Sequence, residues 1–333
     1  MIFVVPESHA QPCGGNLYNQ LLLQALKKKG LRIQALSVGR ALSGMKKAPV
    51  RSCWVDSLCL NELGHFLKLQ GKEQKIYAVI HDLPSFEPGL SPSERRRREA
   101  RENELLGRVS GFLVTSPWTR SVLAKRHLGR KPILVVPPAP AVLPSRPHRV
   151  GREFAGLMIS NLIRRKGVLE FLDCLGRQVK KSDLFTLVIA GRSDIEPDYA
   201  RRCLNLMVKH PCLKDKVKFL GALRPAQVKR CYESSSVFIS SSRLETFGMA
   251  IQEARAFGLP VLALEAGYVR HHFSPLRRGL LFRSIPALAR ACAGYIRNPH
   301  GLEALNKTAR LSIPRGTYTW EDAAQLFLDQ LPR

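Results

Sequence analysis

The sequence lacks a long apolar run and contains few aromatic residues. No segment reaches the roughly 18–20 consecutive apolar residues that a membrane-spanning helix needs, so no such helix is predicted. The first residues, Met1–Glu7, combine neither a basic stretch nor a long enough apolar stretch, so no signal peptide is predicted. Aromatic residues make up only 7% of the chain and are not interleaved with basic ones. This composition disfavours a surface on which single-stranded nucleic acid bases stack.

The cysteines show no metal-binding or disulfide pattern. Eight are present, with no C-x-x-C pair and no histidine at zinc spacing, at positions 13, 53, 59, 174, 203, 212, 231 and 292. We interpret them as reduced thiols. This predicts a cytoplasmic protein, because stable disulfides belong to oxidising compartments.

Acidic residues are scarce relative to basic ones. The chain has 53 Lys and Arg against 26 Asp and Glu, which gives a formal net charge of +27. Residues 1–150 carry +14 and residues 151–333 carry +13, so the excess is not a detachable basic arm. A surface of this charge attracts polyanions, and the candidates are nucleic acid, anionic lipid headgroups and phosphorylated small molecules.

The length of 333 residues suits two domains, since single domains usually run to about 100–200 residues. Short β-rich runs alternate with amphipathic helical stretches, which predicts parallel sheets covered by helices on both faces. A proline-rich passage from Pro137 through Pro147 to Gly151 reads as a linker. We therefore predict an α/β fold of two doubly wound, Rossmann-like domains facing a central cleft. Residues 1–145 form the first domain and residues 150–316 the second, and a helix at about 317–333 returns to the first.

The predicted strands all precede helical stretches, and in such sheets ligands bind beyond the carboxyl ends of the strands. They are Ile2–Pro6, Leu31–Val38, Ile76–His81, Gly111–Thr115, Ile133–Val136, Phe154–Ile159, Phe185–Ala190, Val217–Leu220, Val237–Ser240 and Val261–Leu264. Helices are predicted at Leu17–Lys29, 94–107, 117–128 and near Trp320–Leu331. Residues between 40 and 75 and around 83–93 contain no motif that indicates a chemistry.

The most informative stretch follows the strand predicted at Val237–Ser240. Glu245 lies in the turn before a helix, and Glu253 lies about two turns inside it. Backbone N–H groups near Phe247 and Gly248 are expected to point out of the helix start, where geometry and dipole favour a phosphate. A carboxylate beside a phosphate needs donors of its own, and sugar hydroxyls supply them. The arrangement predicts a diphosphate flanked by two polyols, one on each glutamate.

The surrounding pattern, Ser-x-x-Glu-x-Phe-Gly-Met-x-x-x-Glu-Ala-x-Ala-x-Gly-x-Pro-Val, resembles the signature of retaining glycosyltransferases of family 4, which have the GT-B fold. Other family-like segments, in order, are Gly14-Gly15 (the glycine loop), Ile80-His81-Asp82 (the histidine segment), Arg165-Lys166-Gly167 (the basic phosphate loop), Val217–Leu220 with Gly221, and Gly279–Phe282. The ordered set covers nearly the whole chain.

The resemblance implies catalytic roles for His81, Lys166 and Glu245, and donor-binding roles for Gly14, Gly15, Arg165, Phe247, Gly248 and Glu253. Glu253 would bind the ribose hydroxyls, and Glu245 would hold the transferred sugar with the nearby amides. Lys166 and Arg165 would neutralise the diphosphate, and His81 would bond to the sugar from the other domain. The chain departs from the family at Asn161, where many members have an arginine, and Arg164 or Arg165 could supply that charge.

The implied reaction moves a hexose from a nucleoside-diphosphate sugar, UDP-sugar ahead of GDP-sugar, to an acceptor such as a lipid-linked or cell-envelope glycan. No metal or cofactor is expected, since no Asp-x-Asp motif is present and the cations can stabilise the leaving diphosphate. The charge of +27 would draw the protein to the inner face of an anionic membrane.

Other interpretations remain open. The protein could be a non-catalytic GT-B protein that binds polyanions or nucleic acid, or a nucleotide-sugar epimerase or phosphorylase. Glu253 could extend to solvent, Glu245 could serve only as a helix-start charge, Lys166 could belong to a solvated loop, and His81 could be structural. Gly14-Gly15 could be a plain turn. The run Glu94–Glu102 predicts a solvated helix with internal ion pairs, with a lipid-facing helix as the alternative.

Overall fold

The structure is a computed structural model, and it describes residues 1–7, 13–47, 50–145, 153–273, 280–311, 313, 316 and 318–332. It divides into two compact units. The first unit comprises Met1–Ala139 with Tyr318–Arg333, and the second comprises Pro140–Thr317. The boundary between Ala139 and Pro140 lies six residues before the predicted end of the first domain. Within the proposed linker, Pro147 and Gly151 lie outside the described residues.

The described strands are β1 (Ile2–Val5), β2 (Gln34–Ser37), β3 (Ser52–Asp56), β4 (Lys75–Ile80), β5 (Gly111–Val114), β6 (Ile133–Val135), β7 (Phe154–Ile159), β8 (Phe185–Ala190), β9 (Val217–Gly221), β10 (Val237–Ser240), β11 (Val261–Leu264) and β12 (Leu281–Phe282). The described helices are α1 (Gly14–Lys28), α2 (Val38–Lys47), α3 (Leu63–Lys68), α4 (Pro92–Leu106), α5 (Pro117–Lys125), α6 (Val168–Gln178), α7 (Pro197–Lys209), α8 (Pro225–Glu233), α9 (Met249–Ala256), α10 (Ile285–Arg297), α11 (Pro299–Arg310) and α12 (Trp320–Gln330).

The described part of the first unit contains a six-stranded parallel sheet in the order β2-β1-β3-β4-β5-β6. Strand β3 was not predicted, although it lies near the centre of the sheet. The ring of its Trp54 stacks on Tyr77 with 4.2 Å between centroids. Because β3 is buried on both faces, its sequence shows no polar–apolar alternation that would mark it as a strand.

The second unit has the strand order β12-β11-β10-β7-β8-β9 among its described residues, also with parallel pairing. One face of this sheet is covered by α6 and α10, which contribute Phe171, Leu172, Leu288 and Cys292 to a continuous apolar core. Both sheets are doubly wound, so the predicted α/β fold class is confirmed.

Each sheet has a point where the strand order reverses. It lies between β1 and β3 in the first unit and between β7 and β10 in the second. In open α/β sheets ligands bind outside the carboxyl ends of the strands at such a point. Topology alone therefore directs attention to the loops after these four strands.

The last helix, α12, belongs to the first unit and packs on α1. Lys28 Nζ lies 3.2 Å from Glu321 Oε1, and the rings of Tyr18 and Trp320 meet edge to face at 5.7 Å. Gln330 Nε2 donates to the carbonyl of Val135 at 3.2 Å, which ties the helix end to β6. Of the residues that the structure describes, none forms a helix long and apolar enough to cross a membrane.

Candidate functional site

The loops after β7 and β10 meet at the switch point of the second sheet. Residues Arg164–Lys166 form a short 3₁₀ turn that ends at Gly167 with φ of 63°. A Cβ at Gly167 would lie 2.6 Å from the carbonyl oxygen of Ser241, so only glycine allows this approach. Ser241 Oγ donates to the carbonyl of Lys166 at 2.7 Å, and the Arg243 N–H donates to the carbonyl of Arg165 at 2.9 Å. The basic loop is thus fixed against the loop that carries Glu245.

Lys166 and Glu245 form the central ion pair of this cluster. Nζ of Lys166 lies 2.6 Å from Oε1 of Glu245, and the two side chains are only 19% and 14% exposed. Burial raises the pKa of Glu245, but the charges of Lys166 and Arg165 outweigh it, so that the pKa falls below its usual value. Glu245 is therefore ionised at neutral pH and can only accept hydrogen bonds.

The two neighbouring arginines have different surroundings. Nη1 of Arg165 donates to the carbonyl of Leu244 at 3.1 Å, which places its guanidinium beside Glu245. The Arg164 side chain is 71% exposed, with Nε 3.6 Å from Glu196. Asn161 accepts from the Arg192 N–H at 2.9 Å through Oδ1, which fixes the start of the loop. Arg165 is therefore the better placed to replace the arginine that the family has at position 161.

Helix α9 begins beside this ion pair. Gly248 is its N-cap with φ of 95°, and a Cβ there would lie 3.7 Å from Cβ of Glu245. Nε2–H of His272 donates to the carbonyl of Phe247 at 2.7 Å, and the Phe247 ring stacks on Tyr268 at 5.3 Å. Burial lowers the pKa of His272 to about 4, so this supporting histidine is neutral.

Glu253 lies in a separate, apolar environment on the same helix. It is 5% exposed, so the alternative of a solvent-facing side chain is wrong. The Ala141 N–H donates to Oε1 and the Tyr232 hydroxyl donates to Oε2, both at 3.0 Å. Burial raises the pKa of Glu253 to about 7. The two glutamates of the motif thus have pKa values shifted in opposite directions.

The residues predicted from the first half meet at the switch point of the first sheet. Gly14 and Gly15 form the first turn of α1, whose N-cap is Cys13. A Cβ at Gly15 would lie 3.1 Å from Cδ2 of His81, whereas one at Gly14 would meet nothing within 4 Å. Gly15 therefore allows α1 to pack against the His81 ring. His81 itself is 8% exposed and follows β4 directly.

His81 is held by residues that sequence reasoning missed. Nε2–H of His81 donates to Asn19 Oδ1 at 2.8 Å, and Nδ2 of Asn19 donates to Asp56 Oδ2. Asp56 ends the unpredicted strand β3, so nothing in the sequence marked it. The structure brings Gly14, Gly15 and His81 together in the first unit, and Arg165, Lys166, Glu245, Phe247 and Gly248 together in the second, while Glu253 lies further along α9.

Three further sequence interpretations have outcomes. In α4, Glu94 pairs with Arg97 and Arg98 at 2.8 Å and 2.7 Å, as predicted for a solvated helix. Glu102 of the same run is instead buried, and it accepts from Ser85 and from Arg126, each at 2.6 Å. Gly279 of the family-like segment lies outside the described residues. Within the described ranges, no group of three or more His, Cys, Asp or Glu residues could hold a metal ion.

The comparisons with known proteins agree with this geometry. The family model described as "Glycosyl transferases group 1" matches residues 146–312. The alpha-monoglucosyldiacylglycerol synthase of Streptococcus pneumoniae is 29% identical over 126 residues, which are 38% of this chain and 27% of that protein. A GDP-mannose-dependent alpha-mannosyltransferase of Mycolicibacterium smegmatis is 44% identical over 63 residues, or 19% of this chain and 17% of that protein. The match thus spans about a quarter or less of these relatives.

Solved structures resemble almost the whole chain. The sucrose-phosphate synthase of Thermosynechococcus elongatus superposes with a TM-score of 0.81 at 18% identity, covering 98% of this chain and 97% of that one. Anabaena HepE in complex with UDP-glucose superposes with a TM-score of 0.74 at 15% identity, covering 99% of both chains. At such low identity the likeness shows a shared two-domain α/β fold.

Proposed function

Because this chain belongs to the Glycosyl transferases group 1 family, we propose that it is a retaining hexosyltransferase. The donor would be a nucleoside-diphosphate sugar held by the second unit, and the acceptor would bind to the first unit. The observation that carries the proposal is the cluster of Arg165, Lys166 and Glu245 beside the start of α9, at the switch point of the second sheet. Plain polyanion binding would need the cations but not the buried carboxylate.

In this proposal the diphosphate binds Lys166, Arg165 and the amides at the start of α9. As the diphosphate takes up the charge of Lys166, Glu245 becomes available to accept from hydroxyls of the transferred sugar. The bond between the sugar carbon and the diphosphate then breaks, and the leaving group departs with the electron pair. The acceptor oxygen bonds to that carbon, and its proton passes to the departing phosphate. The two cations stabilise the developing charge, so we propose that no metal ion is required.

Glu253 is the proposed ribose ligand. Its two oxygens already accept from Ala141 and Tyr232, but a carboxylate has about four acceptor sites, so two remain for the ribose hydroxyls. A UDP-sugar is the proposed donor, because several similar solved structures contain UDP. GDP-sugar is the alternative, since one curated relative is named as GDP-mannose-dependent.

We further propose that the acceptor is a lipid-linked or cell-envelope glycan reached at the inner face of an anionic membrane. The net charge of +27 supports this, because basic residues near such a surface are attracted to it. Two relatives have names that include a lipid. One is the diacylglycerol synthase, and the other is the human phosphatidylinositol N-acetylglucosaminyltransferase, one chain of which is 25% identical over 172 residues. In this proposal the protein is cytoplasmic and peripheral to the membrane.

The test begins with a thermal-shift screen of nucleoside diphosphates and their sugars, since a ligand that binds only the folded state raises its melting temperature. Calorimetry then compares the wild type with Glu253→Ala, using Glu233→Ala as a matched control because Glu233 is exposed on α8. We expect roughly tenfold or greater loss of donor affinity in Glu253→Ala alone, from the lost bonds to the ribose. Unchanged affinity in a folded Glu253→Ala would remove the ribose assignment, and no binding of any nucleotide by the wild type would overturn the proposal.

A further inference from the structure

Three buried polar side chains meet at the switch point of the first sheet. Asn19 lies on α1, which follows β1, Asp56 ends β3, and His81 follows β4. Their exposed fractions are 1%, 0% and 8%. Buried polar groups in such a place are costly unless each is matched to a partner, so the direction of each hydrogen bond carries information.

The hydrogen bonds run in one direction through the three residues. The Leu58 N–H donates to Asp56 Oδ1 at 2.8 Å, and Asn19 Nδ2 donates to Asp56 Oδ2. The other end of the amide, Asn19 Oδ1, lies 2.8 Å from His81 Nε2. His81 Nε2 is also 3.5 Å from Asp56 Oδ2, so the ring lies close to the carboxylate.

This order fixes the proton of the imidazole. A carboxylate only accepts, so Asn19 must turn its NH₂ group toward Asp56 and its oxygen toward His81. An amide oxygen also only accepts, so Nε2 of His81 must carry the hydrogen. In the neutral ring the other nitrogen, Nδ1, is then an acceptor.

The ring is also held in place. Gly15 packs against Cδ2 of His81, and the Tyr18 ring meets the imidazole edge to face at 5.1 Å. The backbone N–H of His81 donates to Ser57 Oγ at 3.1 Å. With its position and its proton both determined, the imidazole can distinguish a hydrogen-bond donor from an acceptor.

We propose that Asn19 and Asp56 are positioning residues that hold His81 as the Nε2–H tautomer, so that Nδ1 accepts from a hydroxyl of the substrate. The proposal rests on the proposed function for the identity of that hydroxyl, which belongs to the transferred sugar. The tautomer itself is a property of the protein alone. It can therefore be measured without donor, acceptor or activity.

The decisive variant is Asp56→Asn, which keeps the shape of the side chain. The new Oδ1 would continue to accept from the Leu58 N–H, so the new NH₂ group would face Asn19. The Asn19 amide would then turn over and donate to Nε2 of His81. The ring proton would move to Nδ1, and the nitrogen that faces the substrate could no longer accept. A buried aspartate that selects a histidine tautomer is a known catalytic device.

Long-range ¹H–¹⁵N spectra of histidine-labelled protein report the tautomer, and the His81 signals are identified by their loss in His81→Gln. We expect Nε2–H in the wild type and Nδ1–H in Asp56→Asn, with Glu62→Gln unchanged as a control that removes a charge from the segment following β3. We also expect kcat to fall roughly 10- to 100-fold in Asp56→Asn alone. A wild-type ring protonated on Nδ1, or the same tautomer in Asp56→Asn, would overturn the proposal even if transfer is observed. Absence of transfer with the expected spectra would instead overturn the proposed function.

Discussion

The two switch points of the molecule differ in how they are stabilised. In the first unit, Asn19, Asp56 and His81 are almost fully buried and linked by directed hydrogen bonds. In the second unit, Lys166 and Glu245 are partly exposed and joined by charge, with Arg165 beside them. The same strand-end position is thus built in one unit to fix geometry and in the other to exchange partners.

This difference indicates a division of roles. An ion pair such as Lys166–Glu245 can open when a stronger anion arrives, because the lysine then remains paired and the carboxylate finds hydroxyl donors. A closed network such as that around His81 gains nothing by opening, since each buried group would lose its partner. The second unit is therefore suited to charged substrate groups, and the first to the orientation of neutral ones.

The largest expected effect comes from removing the central cation. Lys166→Met would leave the diphosphate with one side-chain cation and Glu245 with a weaker partner. We expect kcat/KM to fall roughly 100-fold or more, as when a charge-stabilising group is lost from other enzyme sites. Steady-state kinetics with the donor found in the thermal-shift screen measure this effect.

Arg164→Met is the matched control, because Arg164 adjoins Arg165 in the same loop but is 71% exposed. We expect it to change kcat/KM by no more than a few-fold. Equal losses in Lys166→Met and Arg164→Met would mean that the loop acts through its general charge, and the contrast between the two units would then lose its basis.

The second largest effect concerns Glu253, whose pKa is raised to about 7 by burial. A carboxyl group with a raised pKa in the folded state stabilises the protein below its unfolded value of about 4.5, and this contribution is lost as pH rises toward 7. The shift corresponds to about 3 kcal/mol at 1.36 kcal/mol per pKa unit. Glu253→Gln cannot ionise, so the variant should lack this loss.

Denaturant unfolding of the second unit, followed from pH 4 to pH 8, tests the prediction. We expect the free energy of unfolding of Glu253→Gln to rise relative to the wild type by an amount on the order of 3 kcal/mol across this range. Parallel pH profiles for the two proteins would contradict it. A carboxylate stabilised by cations, as Glu245 is, would give the opposite trend in the wild type.

Local sequence was enough to predict the second-unit cluster. The strand, the turn and the helix that carry Glu245, Phe247 and Gly248 are contiguous, so spacing alone places them at one helix start. The meeting of Lys166 with Glu245 followed from parallel strands that end at the same edge of a sheet. The resemblance to a known family then supplied the chemistry.

The environment of each residue could not be predicted in the same way. Glu253 receives its hydrogen bonds from Tyr232 and Ala141, which lie 21 and 112 positions away. Asn19 is 37 positions from Asp56 and 62 from His81. Such pairings depend on tertiary packing, and one of them required a strand, β3, whose uniformly buried residues carry no periodic signal.

The smallest expected effect separates the two glycines of α1. Gly15→Ala places a methyl group about 3 Å from the His81 ring, so the ring or the helix must shift, and we expect about 1 kcal/mol of destabilisation. Gly14→Ala meets nothing within 4 Å and improves helix propensity, so we expect stability to stay equal or to rise by up to about 1 kcal/mol. Denaturant unfolding of the two variants measures both values.

The same pair tests what the glycines are for. If Gly14 is a donor-binding residue, as we propose, Gly14→Ala should weaken donor affinity several-fold although the protein stays fully stable. Gly15→Ala should also disturb the His81 signals in histidine-labelled spectra, because its methyl group would press on that ring. If Gly15→Ala leaves both stability and the His81 signals unchanged, the first switch point is not packed as tightly as its role in fixing geometry requires.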